Sequence, residues 1–286
     1  MKGVLLAGGA GTRLYPITIP ISKQILPVYD KPMIYYPLST LIASGINDIL
    51  VISTNKDLQL FQSLLSDGSQ WGCKISYAIQ DNPNGIAEAF IIAEEFIGAD
   101  NVALILGDNI FYFPSLKHVI SESINLTGAT IFAYHVSDPS RYGVVEFTGQ
   151  NKIISIEEKP SHPKSNYAIP GFYFFDNNVI QYAKQIKPSS RGELEITDII
   201  KKYYDVNSLN VIKMDKGTAW LDTGTVGSLM EAGQFVQVLE NRQGLKVGCV
   251  EEQAYLMDYI DANQLKKIAS QFNNGYGQYL NSLLNA

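Results

Sequence analysis

The sequence predicts an α/β protein in which a mainly parallel, mixed central sheet is covered by helices on both faces and followed by a helical C-terminal extension. Between residues 2 and 108, short apolar runs rich in β-branched residues alternate with longer segments of helical periodicity. The run 102–107 stays apolar up to Asp108, which is typical of a central parallel strand buried on both faces. Because alternating strands and helices form βαβ units, we expect a Rossmann-like three-layer sandwich.

The elements of the first half follow from apolar runs and from the glycines that end them. A helix within 33–46 ends at Gly45, and a helix over 84–98 ends at Gly98, since glycine is the usual residue after a helix. The predicted strands of this half, which form the parallel part of the sheet, are 2–9, 48–54, 73–80 and 102–108.

The middle of the chain changes character, because strand-like runs follow one another with little helix between them. This predicts a mixed or antiparallel part of the sheet, made of 129–136, 142–148, 152–160 and 168–175. The elements expected next are a helix at 191–205, a strand at 209–214, a strand leading into a loop at 219–225, and helices including 262–272 and 275–284. From about Leu229 the pattern is mainly helical, so we expect an α/β domain over 1–228 and a helical extension over 229–286 packed on it.

The composition is that of an ordinary soluble globular protein, with 46% hydrophobic and 17% charged residues. The net charge of −6 argues against nucleic-acid binding, which normally needs a basic face. No apolar stretch reaches the roughly 20 residues that span a bilayer, and we expect no signal peptide before the first strand. Two cysteines, Cys73 and Cys249, predict no disulfide framework. We therefore expect a cytoplasmic protein without membrane or nucleic-acid partners.

The stretch LLAGGAGTRL at residues 5–14 places three glycines, a threonine and an arginine behind an apolar strand. A dinucleotide-binding loop needs a third glycine where Leu14 stands, and an acidic residue where the next strand ends in Ser-Thr. A Walker A loop needs a lysine after its glycines, whereas Thr and Arg13 follow Gly11. Backbone N–H groups in such a turn form a nest for oxyanions, and an arginine can contact two phosphate oxygens. The segment is either a phosphate-binding turn or a tight surface turn with a solvated arginine.

Two predicted strands end in aspartates. Asp108 follows the run 102–107, and Asp222 precedes a glycine turn in AWLDTGT. Ligands of open α/β sheets bind outside the carboxyl ends of the strands. An aspartate at such a position can cap the following helix, but one or two carboxylates together with phosphate oxygens also hold Mg²⁺. Both interpretations stay open at this level.

Motifs spread along most of the chain resemble the sugar-nucleotidyltransferase family, in particular its members that use dTTP and glucose 1-phosphate. The motifs are GGAGTRLYP, SKQILPVYDKPMIYYPLSTL, DGSQWG, NPNGIAEAF, LGDNIFY, RYGVVEF, EEKP, PKSNYA, RGELEITDI and AWLDTGT. The resemblance implies a Mg²⁺-dependent enzyme whose catalytic domain is 1–228 and whose sugar phosphate attacks the α-phosphorus directly. Its products would be pyrophosphate and dTDP-glucose, which feeds deoxysugar synthesis such as that of dTDP-rhamnose. The implied assembly is a homotetramer, a dimer of dimers.

The resemblance also assigns roles to individual residues. The implied catalytic residues are Arg13, Lys23, Asp108 and Asp222, and the two aspartates are implied to hold Mg²⁺. The implied nucleotide-binding residues, of which Gln80 and Gly85 would contact the base, are Gly8, Gly9, Gly11, Thr12, Arg13, Lys23, Gln24, Gln80, Gly85, Asp108 and Asn109. The implied sugar-phosphate-binding residues are Gly143, Glu158, Lys159 and Ile169.

The chain departs from the family pattern at Phe113, Pro114, Lys216, Thr218 and Val226. Several of these positions belong to parts of the chain that the family associates with a second, regulatory nucleotide-sugar site at a subunit interface. We therefore do not carry the family's feedback inhibition over to this chain. Two alternatives stay open. One is the same chemistry with another base or sugar phosphate, such as UTP or glucosamine 1-phosphate. The other is a non-catalytic sugar-nucleotide sensor, which could lose the four charged catalytic residues that this chain retains.

Overall fold

A computed structural model describes residues 1–9, 11–114, 116, 119–120, 127–150 and 152–285; Ala10 of the glycine loop and Ala286 lie outside the described residues. The strands are β1 Lys2–Ala7, β2 Pro27–Val28, β3 Lys31–Pro32, β4 Asp48–Ser53, β5 Lys74–Ile79, β6 Val102–Leu106, β7 Asn109–Tyr112, β8 Ala129–His135, β9 Gly143–Phe147, β10 Ile153–Glu158, β11 Tyr167–Ala168, β12 Phe172–Phe175, β13 Leu209–Lys213 and β14 Ala219–Asp222. The α-helices, numbered over the described residues, are α1 Tyr35–Ala43, α2 Leu58–Leu65, α3 Glu88–Ile92, α4 Glu94–Ile97, α5 Asn178–Gln185, α6 Ile196–Asp205, α7 Val226–Gln243, α8 Val250–Leu256, α9 Ala262–Ala269 and α10 Gly275–Ser282.

The central sheet has ten strands in the order β10-β9-β11-β8-β12-β6-β1-β4-β5, with β13 paired to β8. The pairs β1–β4, β1–β6 and β4–β5 are parallel, while β12 is antiparallel to both β6 and β8. Val102 to Ile105 of β6 are fully buried at the centre of this sheet. The predicted α/β class and the mixed character of the middle segment are therefore confirmed.

Residues of β1 alternate between two apolar clusters, which places these clusters on opposite faces of the sheet. Leu5 and Ala7 belong to the first cluster, and Val4 and Leu6 belong to the second. The first cluster contains side chains of α1, α8, α9 and α10, whereas the second contains side chains of α3, α5 and α6. The sheet is thus the middle of three layers, as the sequence predicts.

The helix that leads into the C-terminal part begins at Val226 rather than near Leu229. Thr225 caps it reciprocally, since its hydroxyl accepts from the Ser228 N–H at 3.2 Å and its own N–H donates to the Ser228 hydroxyl at 3.0 Å. Side chains of α7 pack in a third apolar cluster with Val28 of the β2–β3 hairpin. Within the described residues, no helix is both long and apolar enough to cross a membrane.

Two predicted helices are shorter than expected for the same reason. The Leu194 N–H donates to the carbonyl of Asn84 at 2.6 Å, and the Ala87 N–H donates to the carbonyl of Leu194 at 3.2 Å. These bonds hold both segments outside helical geometry, so α3 starts at Glu88 and α6 starts at Ile196. The predicted strand 168–175 is also split into β11 and β12, with Pro170, which has no N–H to donate to a sheet, between them.

Candidate active site

The glycine loop leaves the carboxyl end of β1 and turns sharply. Gly9 and Gly11 have positive φ angles of 121° and 57°, a conformation that glycine adopts without a steric penalty. The turn is closed by the Leu14 N–H, which donates to the Gly11 carbonyl at 2.9 Å, and the Thr18 hydroxyl donates to the same carbonyl at 2.7 Å. Arg13 is exposed just beyond it. The loop therefore presents backbone and a guanidinium group at the sheet edge where ligands of α/β proteins bind.

Lys23 begins the next turn of the chain and is only 6% exposed. Its Nζ donates to Oδ2 of Asp108 at 2.7 Å, so a buried ammonium group is paired with the aspartate that follows β6. The side-chain oxygen of Gln24 accepts from the Ser22 hydroxyl at 2.7 Å, which anchors this turn. Lys23 and Asp108, which are far apart in the sequence, are thus brought into contact.

Asn109 fixes the surroundings of Asp108. Its Nδ2 donates to Oδ1 of Asp108 at 2.8 Å. Its Oδ1 accepts from the backbone N–H of Gly171 at 3.0 Å and from Nε1 of Trp220 at 2.7 Å. Because its side-chain amide makes these three hydrogen bonds, buried Asn109 is a structural link between three segments that meet at the site.

Asp222 reaches Asp108 through strand pairing. Strand β14 runs antiparallel to β7 with Asp222 opposite Asn109, the neighbour of Asp108. Oδ2 of Asp222 accepts from Nη2 of Arg141 at 2.8 Å and from the Tyr142 hydroxyl at 3.2 Å. Each of the two aspartates is therefore paired with a cation from another part of the chain.

These residues surround a cavity of about 220 Å³. Its lining combines the glycine loop with both aspartates and consists of Gly8, Gly9, Gly11, Thr12, Arg13, Leu14, Lys23, Gln24, Asp108, Asp222 and Gly224. All four charged residues implied to be catalytic thus face one space that glycine backbone also lines.

A second cavity, of about 170 Å³, shares Arg13, Asp108 and Asp222 with the first. Every residue implied to bind the sugar phosphate lies in its wall, namely Gly143, Glu158, Lys159 and Ile169. A side chain at Gly143 would come within 2.9 Å of the Thr197 methyl group, so glycine keeps this wall open. Asn109 lies in the same wall.

Glu158 is a largely buried carboxylate in the wall of this second cavity. Burial raises its pKa, and Lys159, whose Nζ lies 3.6 Å from Oε1, opposes that shift. Arg191 Nη1 lies 3.4 Å from the same oxygen. The carboxylate therefore lies in a partly dry pocket between two cations.

Gln80 and Gly85 lie beside the first cavity rather than in its wall. Gln80 is 5% exposed, and its Nε2 donates to the Gly85 carbonyl at 3.2 Å. Its Oε1 lies against Gly8, because an added Cβ at Gly8 would be only 2.7 Å from that oxygen. The structure thus joins both residues to the glycine loop.

Several residues of the cavity walls were not singled out from the sequence. They are Ile86, Arg141, Tyr142, Tyr173, Thr197 and Trp220. Arg141 and Tyr142 directly precede Gly143, and Thr197 and Trp220 stand inside recognised motifs, so proximity to those motifs was the available signal. Phe113 and Pro114, two of the departures, line a different cavity of about 330 Å³.

Comparisons with known proteins show the family to which the chain belongs. The family described as Nucleotidyl transferase matches residues 2–238. The chain is 54% identical over 286 residues to a glucose-1-phosphate thymidylyltransferase of Neisseria meningitidis, with 99% of each chain covered. It is 55% identical over 285 residues to one of Mycobacterium tuberculosis, again with 99% of each covered.

Solved structures show the same fold. A putative glucose-1-phosphate thymidylyltransferase from Bacillus anthracis, solved with sucrose, superposes with a TM-score of 0.76 at 42% identity and covers 82% of this chain and 94% of its own. A UDP-glucose pyrophosphorylase with UDP-glucose reaches a TM-score of 0.73 at 23% identity, covering 83% and 98%, which is a likeness of fold alone. The family predicted from the motifs is confirmed, and the chain belongs to the nucleotidyl transferase family.

Proposed function

We propose that this chain catalyses the Mg²⁺-dependent formation of dTDP-glucose and pyrophosphate from dTTP and α-D-glucose 1-phosphate. The observation that carries the proposal is the convergence of Arg13, Lys23, Asp108 and Asp222 on one cavity that shares three of these residues with the cavity holding Glu158 and Lys159. The names of the relatives, at 54% and 55% identity over nearly the full length, support these two substrates.

The reaction requires little covalent chemistry from the protein itself. A phosphate oxygen of the sugar phosphate attacks the α-phosphorus and forms a new P–O bond, while the bond from that phosphorus to the departing pyrophosphate breaks in line. Because the nucleophile is already an anion, no general base is needed. The protein's task is to position two anions and to neutralise the charge between them.

The chain's own residues fit that task. Backbone N–H groups of the glycine loop would hold triphosphate oxygens, and Arg13 would bind the departing pyrophosphate. Lys23 would neutralise phosphate charge from its buried position. On the sugar side, Glu158 would accept hydrogen bonds from hydroxyl groups and Lys159 would bind the phosphate.

The two aspartates fit a magnesium ion. Among the described residues, no group of three or more His, Cys, Asp or Glu side chains could hold a metal without help. Two carboxylates that open onto a phosphate-sized cavity are the donor set that Mg²⁺ uses when substrate oxygens complete its shell. Asp108 and Asp222 would hold the ion, with Asn109 orienting Asp108. When bound, Mg²⁺ supplies positive charge to the reacting phosphates.

Pyrophosphate release from the purified chain tests the proposal. The assay compares dTTP, UTP, dCTP and ATP, each with glucose 1-phosphate and with glucosamine 1-phosphate. We expect the highest kcat/KM for dTTP with glucose 1-phosphate. Equal or faster turnover of UTP contradicts the base assignment, and nucleotide binding without pyrophosphate release with any pair supports a sensor instead.

The remaining parts of the proposal follow from the family resemblance. We expect a homotetramer built of dimers, a cytoplasmic location, and a catalytic unit over 1–228 that carries the extension 229–286. Light scattering coupled to size exclusion checks the assembly, since a monomeric mass contradicts it.

A further inference from the structure

The amide group of Gln80 is held at both of its N–H bonds. Nε2 donates to Oε2 of Glu88 at 2.7 Å and to the backbone carbonyl of Gly85 at 3.2 Å. Oε1 lies on the side of Gly8, where an added Cβ would be only 2.7 Å from this oxygen. The buried amide therefore presents an acceptor, and not a donor, toward the glycine loop.

Glu88 is the group that enforces this orientation. An ionised carboxylate only accepts hydrogen bonds, so a flipped amide would set Gln80 Oε1 against Glu88 Oε2, acceptor against acceptor. The carboxylate is itself anchored, because Oε1 of Glu88 accepts from Nδ2 of Asn84 at 2.8 Å. The Gly85 carbonyl also accepts and opposes the same flip.

We propose that Glu88 is a positioning residue for base selection: it locks the Gln80 amide so that its oxygen faces the base. The inference rests on the proposed function, in which Gln80 contacts the base. Thymine and uracil present an N–H donor at N3, which pairs with an acceptor, whereas cytosine presents a lone pair at N3. The lock therefore favours thymine and uracil over cytosine, because a cytosine would leave two buried acceptors facing each other.

A substitution at Glu88 that can donate should release the lock. In Glu88→Gln, the new amide can donate to a flipped Gln80 oxygen. Only the Gly85 carbonyl then opposes the flip, so Gln80 can present its NH₂ group to the cytosine N3. We expect kcat/KM for dTTP to stay within about fivefold of the parent, while the ratio of kcat/KM for dTTP to that for dCTP falls at least about tenfold, the size of one hydrogen-bond discrimination. Glu88→Ala, which removes the acceptor outright, should lower the ratio in the same direction.

The matched control is Glu95→Gln, the same change at an exposed acid of the neighbouring helix α4, which should leave the ratio unchanged. Calorimetric affinities for dTDP and dCDP give a second readout that needs no turnover, and circular dichroism establishes that each variant is folded. An unchanged dTTP-to-dCTP ratio in the folded Glu88 variants, or an equal loss for both nucleotides, overturns the inference. Failure of the parent chain to use dTTP contradicts the proposed function instead, so the two failures are distinguishable.

Discussion

The ammonium group of Lys23 lies 2.7 Å from Oδ2 of Asp108, although the two residues are 85 positions apart in the sequence. Arg141 and Asp222 form an equivalent pair at 2.8 Å across 81 positions. Two carboxylates that open into the same cavity would repel each other, and each is compensated by a cation from another segment. Each carboxylate of the site is thus held in an ion pair with a cation from a distant segment of the chain.

Arg13 should contribute to catalysis by stabilising negative charge on the departing pyrophosphate. It is exposed at the rim of the cavity that holds both aspartates. We expect Arg13→Ala to lower kcat by roughly 10²- to 10³-fold, the usual effect of removing one preorganised electrostatic donor. Steady-state pyrophosphate release measures this, with Arg242→Ala, exposed on α7, as the control. A loss below about threefold would mean that Arg13 does not face developing charge.

The two aspartates should control the metal requirement. Under the proposed function, Asp108→Asn and Asp222→Asn each remove an anionic oxygen that would bind the metal ion. We expect each to raise the Mg²⁺ concentration for half-maximal rate by at least about tenfold, since even outer-shell partners of metal ligands alter metal affinity by 10- to 100-fold. Mn²⁺ binding followed by electron paramagnetic resonance gives a direct check, and exposed Asp205→Asn is the control. An unchanged titration in either variant removes that aspartate from the metal site.

A buried ion cluster ties the C-terminal part to the segment that follows Lys23. Lys31 Nζ lies 3.1 Å from Oε1 of Glu240, and these side chains are only 2% and 5% exposed. Lys246 lies 2.6 Å from the other oxygen of the same carboxylate. We expect Lys31→Met to lower the free energy of unfolding by about 3 kcal/mol, because it leaves a buried carboxylate short of a partner.

Urea unfolding measures the loss at Lys31. The control is Lys164→Met, whose partner Glu157 lies 3.0 Å away at the surface, with side chains 60% and 36% exposed. Exposed ion pairs of this kind contribute up to about 1 kcal/mol. Equal losses of unfolding free energy in the two variants would show that burial does not make the Lys31 cluster more stabilising than an exposed ion pair.

Glu158 should make stability depend on pH. Burial raises its pKa above the ordinary value of 4.5, against the opposing charge of Lys159. The folded chain then binds a proton more tightly than the unfolded chain, so the contribution of this group to stability is present below 4.5 and is lost as the pH rises through the folded-state pKa.

Glu158→Gln removes that ionisation. We expect the stability of the variant relative to the parent to increase as the pH is raised from about 4 to about 7. Urea midpoints across this range measure the trend, and exposed Glu231→Gln is the control. A difference between variant and parent that stays constant with pH would show that Glu158 titrates alike in both states.

Local patterns in the sequence determined which segments of the chain carry the residues of the candidate site. Apolar runs located β1, β4 and β6, because burial on both faces needs an unbroken apolar run. A strand-like run also located β5, which lies at the edge of the sheet. The residues of the glycine loop and of the next strand excluded a dinucleotide-binding loop and a Walker A loop. Arg13 indicated an anionic ligand. These features depend only on residues that are neighbours in sequence, so they can be recognised without a structure.

Only the tertiary structure decided how those segments meet. Strand β7 was not predicted, and it forms by pairing with β14, which carries Asp222 to the side of Asp108. Segments 84–87 and 191–195 stay out of helices because they hydrogen-bond to each other, and the link from Gln80 to Glu88 depends on that same turn. Which distant residues form such contacts depends on strand register and packing across the whole chain. A local sequence pattern does not identify these distant partners.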